Sequence, residues 1–343
     1  MFLGSVMRKV GSRVRVAFFG TGQFANKTHI PNLMKIDGVD IVAICDINPQ
    51  ALQSTAEQFG ISKTYHDAYQ LLEEEEFDVL YSVVPAFART DVEAIAASKG
   101  IHIFSEKPQA IKIEIAQHID AAIQEAGVFS TVGFRERYRP IFQQARQLLL
   151  DKEIVHVQFH SFGGFPSRQL VQESVDWHSD FERGGYSAFD WGGHAVDYIR
   201  FITGLDIVRA QAFYHHPDDY SKPLSCSFNF SSSNGAIINL NFISAGGRPK
   251  DNPWFQVFFE QGYLAIYGYE RIEVNQEVVY TTEAFDPWFK QDQTFIEAVR
   301  SNDGSQILND YHDGLFSLAP ILAGWESSLC NGKCIEISSF MTL

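Results

Sequence analysis

Three residues with acid–base side chains recur at helical spacing in the segment from 184 to 197. Asp190, His194 and Asp197 stand at positions i, i+4 and i+7, so a helix would project all three from one face. A carboxylate one turn from an imidazole can exchange a proton at neutral pH. The spacing therefore predicts proton-transfer chemistry at Asp190 and His194, and we interpret Asp197 as a structural partner.

Two adjacent glycines, Gly192 and Gly193, lie inside this predicted helix. Each costs about 1 kcal/mol of helix stability relative to alanine. Their presence therefore indicates a requirement other than helix formation. Because they carry no side chain, they would let another backbone or a flat ring come close.

A second motif lies near the N-terminus, where an apolar run leads into a glycine-rich turn. The run Val14–Phe19 predicts a buried strand. In the G-x-G-x-x-A turn that follows, Gly20 makes the tight bend and Gly22 lets backbone N–H groups approach a pyrophosphate. A helix is predicted to begin in this turn and to extend to about Lys35. The N-terminus of that helix attracts phosphate. The predicted cofactor-binding positions are Gly20, Thr21, Gly22, Gln23, Phe24 and Ala25.

An acidic residue follows the next predicted strand, Asp40–Cys45. Asp46 is placed to accept hydrogen bonds from both hydroxyls of an adenosine ribose. Its carboxylate would repel a 2′-phosphate. The sequence therefore predicts a dinucleotide site that prefers NAD to NADP.

A lysine stands where a third strand, Ile101–Ser105, ends in Glu106-Lys107-Pro108. Ligands of open α/β sheets bind outside the carboxyl ends of the strands, so Lys107 should enter the same crevice as the dinucleotide. There an ammonium group could donate to a substrate oxygen and stabilise its developing charge.

Composition narrows the class of protein. The chain has 343 residues, of which 45% are hydrophobic and 14% aromatic, so it can bury a large core and two domains are expected. Its net charge of −15 argues against nucleic-acid and anionic-membrane partners. No segment has the pattern of a signal peptide or membrane span, so the cytoplasm is the expected location. The four cysteines and the histidines show no metal-ligand spacing, and we expect buried, reduced thiols and no metal.

The order of predicted elements changes along the chain. The first half alternates short strands and helices, which predicts a doubly wound parallel sheet. From Glu153 onward about six segments alternate with period two, including Ile272–Tyr280 as one strand, and predict a mostly antiparallel open sheet. An apolar face on that sheet would favour a homodimer or homotetramer. The helices about Phe289–Arg300 and Asp310–Cys330 should pack back on the first domain.

With these motifs in this order, the chain resembles the Gfo/Idh/MocA oxidoreductases. The resemblance covers about residues 13–340 and implies an NAD(P)-binding Rossmann domain at 13–135 and an α+β substrate and dimerisation domain at 136–343. It implies hydride transfer between nicotinamide and a sugar, polyol, sugar acid or related compound. It assigns catalysis to Lys107, Asp190 and His194, with further cofactor contacts from Pro85, Glu106, Lys107 and Arg135. It also implies a cis Lys107-Pro108 bond.

Several positions depart from the family pattern. Arg89 stands where a histidine is usual after Pro85, and Arg135 stands where an asparagine is usual near the nicotinamide. These changes predict an atypical substrate, and Arg89 and Arg135 could give an acidic substrate local positive charge. Alternatively, either arginine pairs with a nearby acid such as Glu136. Candidate substrate residues are Arg89, Arg137, Tyr138, Trp177 and His178.

Three alternatives stay open from the sequence. Either His194 or Lys107 could accept the proton from the substrate. A glycosidase that uses NAD in a transient redox step would release sugar without net NADH. A non-catalytic NAD- or sugar-sensing protein would bind without turnover, although it would not need the proton-transfer residues.

Overall fold

The computed structural model describes residues 13–166, 186–220, 222–244, 247 and 249–342. It divides into two compact units. The first comprises the described residues up to Tyr138 together with Asp286–Leu315, and the second comprises Arg139–Phe285 and Phe316–Leu343 within the same limits. No helix in the described ranges combines the length and the apolar composition that crossing a bilayer requires.

A six-stranded parallel sheet forms the centre of the first unit. Its order is β3-β2-β1-β4-β5-β6, so the chain reverses direction across the sheet between β1 and β4. This confirms the predicted doubly wound sheet, in which ligands bind at that reversal. The strands are β1 (Val14–Phe19), β2 (Val39–Cys45), β3 (Thr64–Tyr65), β4 (Val79–Ser82), β5 (His102–Ser105) and β6 (Ser130–Val132).

Helices connect these strands and cover the sheet. They are α1 (Ile30–Leu33), α2 (Pro49–Phe59), α3 (Ala68–Glu74), α4 (Val92–Ser98), α5 (Ile113–Ala126) and, from the later part of the chain, α8 (Pro287–Ser301). Phe295 of α8 is buried against Phe104 of β5, with 5.8 Å between ring centroids. In the structure α8 therefore packs within the first unit.

The helix expected after the glycine turn differs from a regular α-helix. Ala25–His29 forms a π-helical turn, in which Ile30 N–H donates to Ala25 O, and only then does α1 begin. Pro31 explains the change, because it has no N–H to donate to the carbonyl of Lys27. The wider turn carries His29 into the interior of the unit, where it is 2% exposed.

The second unit contains a nine-stranded sheet of order β14-β13-β12-β11-β7-β10-β9-β8-β15, antiparallel except between β10 and β7. The strands are β7 (Ile154–Gly163), β8 (Ile207–His215), β9 (Ser225–Ser232), β10 (Ile237–Ser244), β11 (Phe255–Phe259), β12 (Gly262–Tyr267), β13 (Arg271–Val274), β14 (Glu277–Thr281) and β15 (Ile335–Glu336). The helices are α6 (Pro140–Leu149), α7 (Tyr186–Thr203), α9 (Tyr311–Leu329), which begins in the first unit, and α10 (Ile337–Phe340).

Two strand predictions for this sheet are wrong. Ile272–Tyr280 is not one strand, because Asn275 and Gln276 take left-handed φ angles of 50° and 73° and reverse the chain between β13 and β14. The sequence prediction also omitted β12, which pairs with β11. The helix expected from Asp310 runs from Tyr311, and from Phe316 onward it belongs to the second unit.

The open face of this sheet is more polar than predicted, although Phe213 and Ile237 are exposed on it. The phenylalanines of β9, Phe228 and Phe230, are buried on the side that carries the helices. The opposite face of β9 and β10 carries serine and asparagine side chains, which pair across the strands: Ser227 Oγ donates to Asn241 Oδ1 at 2.8 Å. The alternation of apolar and polar residues therefore identified these strands correctly, but most of their apolar side chains face the core.

Candidate functional site

The two glycines of the turn after β1, Gly20 and Gly22, have different steric surroundings. Gly20 has φ +98°, and a Cβ there would lie 2.4 Å from the carbonyl oxygen of Val83. A side chain is thus excluded by the fold itself. At Gly22 a Cβ would have no described atom within 4 Å. The second glycine therefore faces open space, which is what close approach of a pyrophosphate to the backbone requires. Of the neighbouring positions, Thr21 and Ala25 are buried, whereas Gln23 and Phe24 are exposed.

Asp46, at the carboxyl end of β2, is held beside this turn. Its Oδ2 accepts from Thr21 N at 2.7 Å and from Thr21 Oγ1 at 3.0 Å, and its Oδ1 accepts from Asn48 N at 2.8 Å. The side chain is half-buried. A carboxylate has about four acceptor positions, so capacity remains for a ligand hydroxyl. These contacts fix the carboxylate next to the open space at Gly22.

The segment Glu106-Lys107-Pro108 follows β5 at the same edge of the sheet. The Lys107-Pro108 bond is cis, as the family resemblance implies. Lys107 is half-buried, whereas Glu106 is 6% exposed. A Cβ on Gly133 would lie 2.4 Å from Glu106 Oε1, so the Glu106 carboxylate occupies the space that this glycine leaves. Pro85, the other predicted contact at this edge, begins the short turn Ala86–Ala88 after β4.

A buried cluster of charges lies behind the motif, and no local sequence pattern indicates it. His29 Nδ1 lies 2.8 Å from Asp292 Oδ1, and His29 Nε2 lies 3.1 Å from Glu106 Oε1. Asp292 of α8 also accepts from Asn32 Nδ2 at 2.9 Å and from Tyr81 OH at 3.3 Å. The cluster thereby joins the glycine-turn helix, the Glu106 motif and α8.

Both ring nitrogens of His29 face carboxylate oxygens, so both must donate for both contacts to be hydrogen bonds. Burial alone would lower the pKa of His29, but the charges and hydrogen bonds of Asp292 and Glu106 outweigh burial and raise the pKa to about 10. At neutral pH the side chain is therefore an imidazolium between two carboxylates.

Arg89 does not offer its charge to a ligand in the described structure, contrary to the substrate role predicted for it. It is 2% exposed and forms an ion pair with Glu93, four residues later. Its Nη1 also donates to Ser82 Oγ at 3.0 Å and to Ser105 Oγ at 2.7 Å, and its Nη2 donates to the carbonyl oxygen of Glu106. The alternative that this arginine pairs with an acid is the one observed.

The other three polar candidates of the first unit also contact the chain itself. Arg135 lies over the ring of Trp288, 4.5 Å from its centroid, with its Nε 3.2 Å from Glu136 Oε1. Arg137 donates to Leu308 O at 2.8 Å and pairs with Asp313. Tyr138 OH accepts from Leu308 N at 3.1 Å. Arg137 and Tyr138 therefore hold the 308–313 segment, and their contact with a substrate stays a prediction.

In the second unit, α7 carries the predicted acid–base residues. Asp190 is half-buried, His194 is 2% exposed and Asp197 is fully buried. His194 stacks on Tyr198 with 5.7 Å between ring centroids. Asp197 Oδ1 accepts from Ser317 Oγ at 3.2 Å, which agrees with a structural interpretation of this residue.

The two glycines of α7 differ in their surroundings. A Cβ on Gly192 would lie 2.8 Å from the terminal methyl group of Ile321 in α9, whereas a Cβ on Gly193 would have no described atom within 4 Å. Gly192 therefore serves close helix packing. Gly193 leaves open space, as approach of a flat ring would require.

This difference gives a matched pair of variants. We expect Gly192→Ala to lower the free energy of unfolding by about 1 kcal/mol relative to Gly193→Ala, because the buried Ile321 methyl must turn aside. Both substitutions gain the same helix propensity, which cancels. Urea unfolding measures the difference, and equal stabilities would show that Gly192 is not a packing requirement.

Four positions of the predicted site, Trp177, His178, Gly184 and Gly185, lie outside the described residues. Lys107 belongs to the first unit, and Asp190 and His194 belong to the second, so their common action stays a prediction. Within the described ranges, no group of three or more His, Cys, Asp or Glu side chains is arranged to hold a metal ion.

Comparison with protein families gives two adjacent matches. A model described as an oxidoreductase family with an NAD-binding Rossmann fold matches residues 14–134, and the Gfo/Idh/MocA C-terminal domain matches residues 142–265. Together they cover more than half of the chain. The chain belongs to the Gfo/Idh/MocA oxidoreductase family. The first match contains the glycine turn, Asp46 and Lys107, and the second contains α7.

Two curated proteins similar to this chain are a sugar and a polyol dehydrogenase by name. D-apiose dehydrogenase of Paraburkholderia graminis is 30% identical over 58% of this chain and 52% of its own length. The NAD⁺-dependent scyllo-inositol 2-dehydrogenase of Bacillus subtilis is 27% identical over 57% of this chain and 55% of its own length. The matched segments thus span about half the length of these relatives.

Solved structures share the fold over almost the whole chain. An oxidoreductase from Thermotoga maritima superposes with a TM-score of 0.80, at 19% identity, covering 96% of this chain and 99% of that one. The WlbA dehydrogenase of Bordetella pertussis, crystallised with NADH and UDP-GlcNAcA, gives a TM-score of 0.78 at 21% identity, covering 94% and 98%. At such identities the likeness concerns the fold alone.

Proposed function

We propose that this Gfo/Idh/MocA protein is an NAD-dependent dehydrogenase that acts on a CH–OH group of a sugar or polyol. The observation that carries the proposal is the open space at Gly22 beside the fixed Asp46 carboxylate, where the sheet reverses between β1 and β4. Such a backbone cradle suits a pyrophosphate, and the adjacent carboxylate suits a ribose with free hydroxyls.

The residues of the first unit would hold the cofactor. Gly20 N and Thr21 N donate to Cys45 O and Asp46 Oδ2, so the backbone N–H groups from Gly22 to Ala25 would bind the pyrophosphate. Asp46 would bind the adenosine ribose. When bound, NAD supplies a hydride acceptor, and its reduced form supplies the hydride donor. Pro85, Glu106 and Arg135 lie at or near the carboxyl edge of the same sheet, and we assign them supporting positions around the cofactor site.

We assign proton transfer and its support to three side chains. We assign Lys107 the role of hydrogen-bond donor to the substrate oxygen, since it is half-buried at the end of β5. His194 would accept the hydroxyl proton during oxidation, and Asp190 would orient the substrate or the imidazole. The roles of His194 and Lys107 are interchangeable in this scheme, and single substitutions with pH profiles distinguish them.

The substrate class rests on the names of the relatives and on charge. The relatives act on an aldose and on a cyclic polyol by name, and both are neutral. Arg89 and Arg135, the two arginines that could attract an acidic substrate, pair with acidic side chains of the chain itself. These contacts support a neutral substrate over an acidic one.

Turnover with a panel of sugars and polyols tests the proposal. We expect NADH to form, measured by absorbance, with at least one neutral member of the panel. Release of sugar from a glycoside with no net NADH would instead identify a glycosidase. Tight NAD binding without turnover of any compound would identify a sensing protein.

Asp46 sets the expected choice of cofactor. In Asp46→Asn the repulsion of a 2′-phosphate is removed, so we expect the ratio of NADP to NAD affinity to rise about tenfold, equivalent to about 1.4 kcal/mol. Calorimetric titration with each cofactor measures the ratio. Asp40→Asn is the control, because Asp40 lies on the same strand but pairs with Arg13 at the surface. An unchanged ratio in Asp46→Asn would contradict the assignment.

We further propose that copies of the chain associate through the exposed face of the nine-stranded sheet. Phe213 and Ile237 are 52% and 45% exposed on β8 and β10, beside the serine and asparagine ladder. We expect Ile237→Asp to shift the particle mass in light scattering toward that of one 38.7 kDa chain. A mass of one chain before substitution would contradict the proposal.

The cysteines bear on the compartment. Cys45 and Cys226 are buried as expected, whereas Cys330 and Cys334 are exposed, and all four are free thiols. Free thiols suit a reducing compartment, and we propose the cytoplasm.

A further inference from the structure

We propose that Arg89 is a positioning residue that fixes the backbone at Lys107 for the reaction. This inference rests on the proposed function, because it assumes that Lys107 acts on the substrate. It concerns a side chain that lies behind the reacting edge of the sheet and that we do not expect to touch substrate or cofactor.

The guanidinium of Arg89 joins the ends of two neighbouring strands. Ser82 is the last residue of β4 and Ser105 is the last residue of β5, and Nη1 donates to both hydroxyl oxygens at 3.0 and 2.7 Å. Nη2 donates to the carbonyl oxygen of Glu106. That carbonyl belongs to the peptide group whose nitrogen is the backbone nitrogen of Lys107, so Arg89 sets the orientation of this peptide plane.

Glu106 is held from two sides. Its carbonyl oxygen accepts from Arg89, and its carboxylate lies against His29 and against the Cα of Gly133. Lys107 N also donates to Glu106 Oε2 at 3.1 Å. The residue that precedes Lys107 therefore has little freedom to rotate, and the starting point of the lysine side chain is fixed with it.

The energetics favour a role in geometry over a role in stability. Arg89 and Glu93 are each 2% exposed, and Ser105 Oγ also donates to Glu93 Oε1 at 2.8 Å. A buried ion pair often gives no more stability than apolar residues of similar volume, because both charges lose their hydration. What apolar residues cannot provide is a directed set of hydrogen bonds to two strand ends and one carbonyl.

The test compares Arg89→Met with the double variant Arg89→Met/Glu93→Met. The single variant leaves the Glu93 carboxylate buried without its partner, so it should lose stability. The double variant removes both charges and should recover thermal stability. We expect the double variant to bind NAD as the unchanged protein does, to keep its KM, and to show kcat lowered about 10- to 100-fold, since a misplacement of about 1 Å has effects of this size.

A second readout does not depend on turnover. Lysines are methylated with ¹³C-formaldehyde, the Lys107 signal is assigned by its loss in Lys107→Arg, and its chemical shift is compared between the unchanged protein and the double variant. We expect the shift to move. Arg15→Met is the control, because Arg15 pairs with Asp78 at the opposite edge of the sheet, and it should leave both kcat and the Lys107 signal unchanged.

The outcomes separate the two proposals. Recovery of both stability and kcat in the double variant would show that Arg89 is merely structural and would overturn the inference. An unmoved Lys107 signal in the double variant would overturn it as well. Absence of turnover in the unchanged protein would overturn the proposed function, while the chemical shift would still decide whether Arg89 positions Lys107.

Discussion

Replacing Lys107 by methionine is expected to lower kcat by about 10²–10⁴ while leaving NAD affinity little changed. Methionine keeps most of the length of the side chain but cannot donate a hydrogen bond to the substrate oxygen. The backbone contacts that hold the segment, from Arg89 to Glu106 O and from Lys107 N to Glu106 Oε2, do not involve the lysine head group. The fold at this edge should therefore persist.

Steady-state kinetics on a confirmed substrate, together with calorimetric titration of NAD, measures both quantities. Lys112→Met is the matched control, since Lys112 is exposed at the start of α5, five residues beyond Lys107. It should leave kcat unchanged. A Lys107→Met protein with undiminished kcat would remove Lys107 from the reaction and leave His194 as the sole candidate proton acceptor.

Replacing His29 by glutamine is expected to lower the free energy of unfolding by about 3–5 kcal/mol, because a buried cation between two carboxylates is removed. Asp292 and Glu106 are 0% and 6% exposed and would face each other's charge across a neutral amide. A glutamine amide also cannot donate toward both carboxylates in the directions that the imidazolium uses. Urea unfolding measures the loss.

The same side chain gives stability a defined dependence on pH. The pKa of His29 is raised from 6.5 to about 10 in the folded protein, because Asp292 and Glu106 outweigh burial. Its contribution to the free energy of unfolding is therefore fully present below pH 6.5 and is lost as the pH rises toward 10. Tyr81, whose hydroxyl also faces Asp292, keeps its proton throughout this range, since burial and Asp292 raise its pKa well above 10.

His312 provides the control for this prediction. Its Nδ1 lies 2.7 Å from Asp120 Oδ2, but its side chain is 52% exposed, so His312→Gln should cost less than about 1 kcal/mol. We expect His29→Gln to flatten the decline in stability between pH 6.5 and 10 more strongly than His312→Gln does. If the free energy of unfolding falls equally steeply with pH in His29→Gln and in the unchanged protein, then folding does not raise the pKa of His29.

The first unit could be predicted well because its signals are local. The apolar run Val14–Phe19 is β1, residue for residue, and the glycine turn has the steric requirements that the G-x-G-x-x-A spacing implies at Gly20 and Gly22. In the second unit, β13 and β14 were merged because the turn between them uses Asn275 and Gln276, not glycine. A left-handed asparagine–glutamine pair gives a weak turn signal.

The site could be predicted only where its residues belong to a motif. Lys107 and Asp46 follow strands, and their placement at the carboxyl edge follows from the order of the elements. The contacts of Arg89 do not follow from a motif, because its acidic partner, Glu93, lies on α4 and its other side-chain acceptors come from two strands. His29 and Asp292 are separated by 263 positions, and nothing local to either residue indicates the other.

That separation has a consequence for how the protein is made. The first unit takes its centre from residues up to Tyr138, yet Asp292, which balances the charge of His29, is translated only after most of the second unit. Until α8 is made, His29 has Glu106 but not Asp292 as a carboxylate partner, and Phe104 lacks its contact with Phe295. A chain cut before Asp286 should accumulate as a chaperone client rather than as a stable dinucleotide-binding fragment.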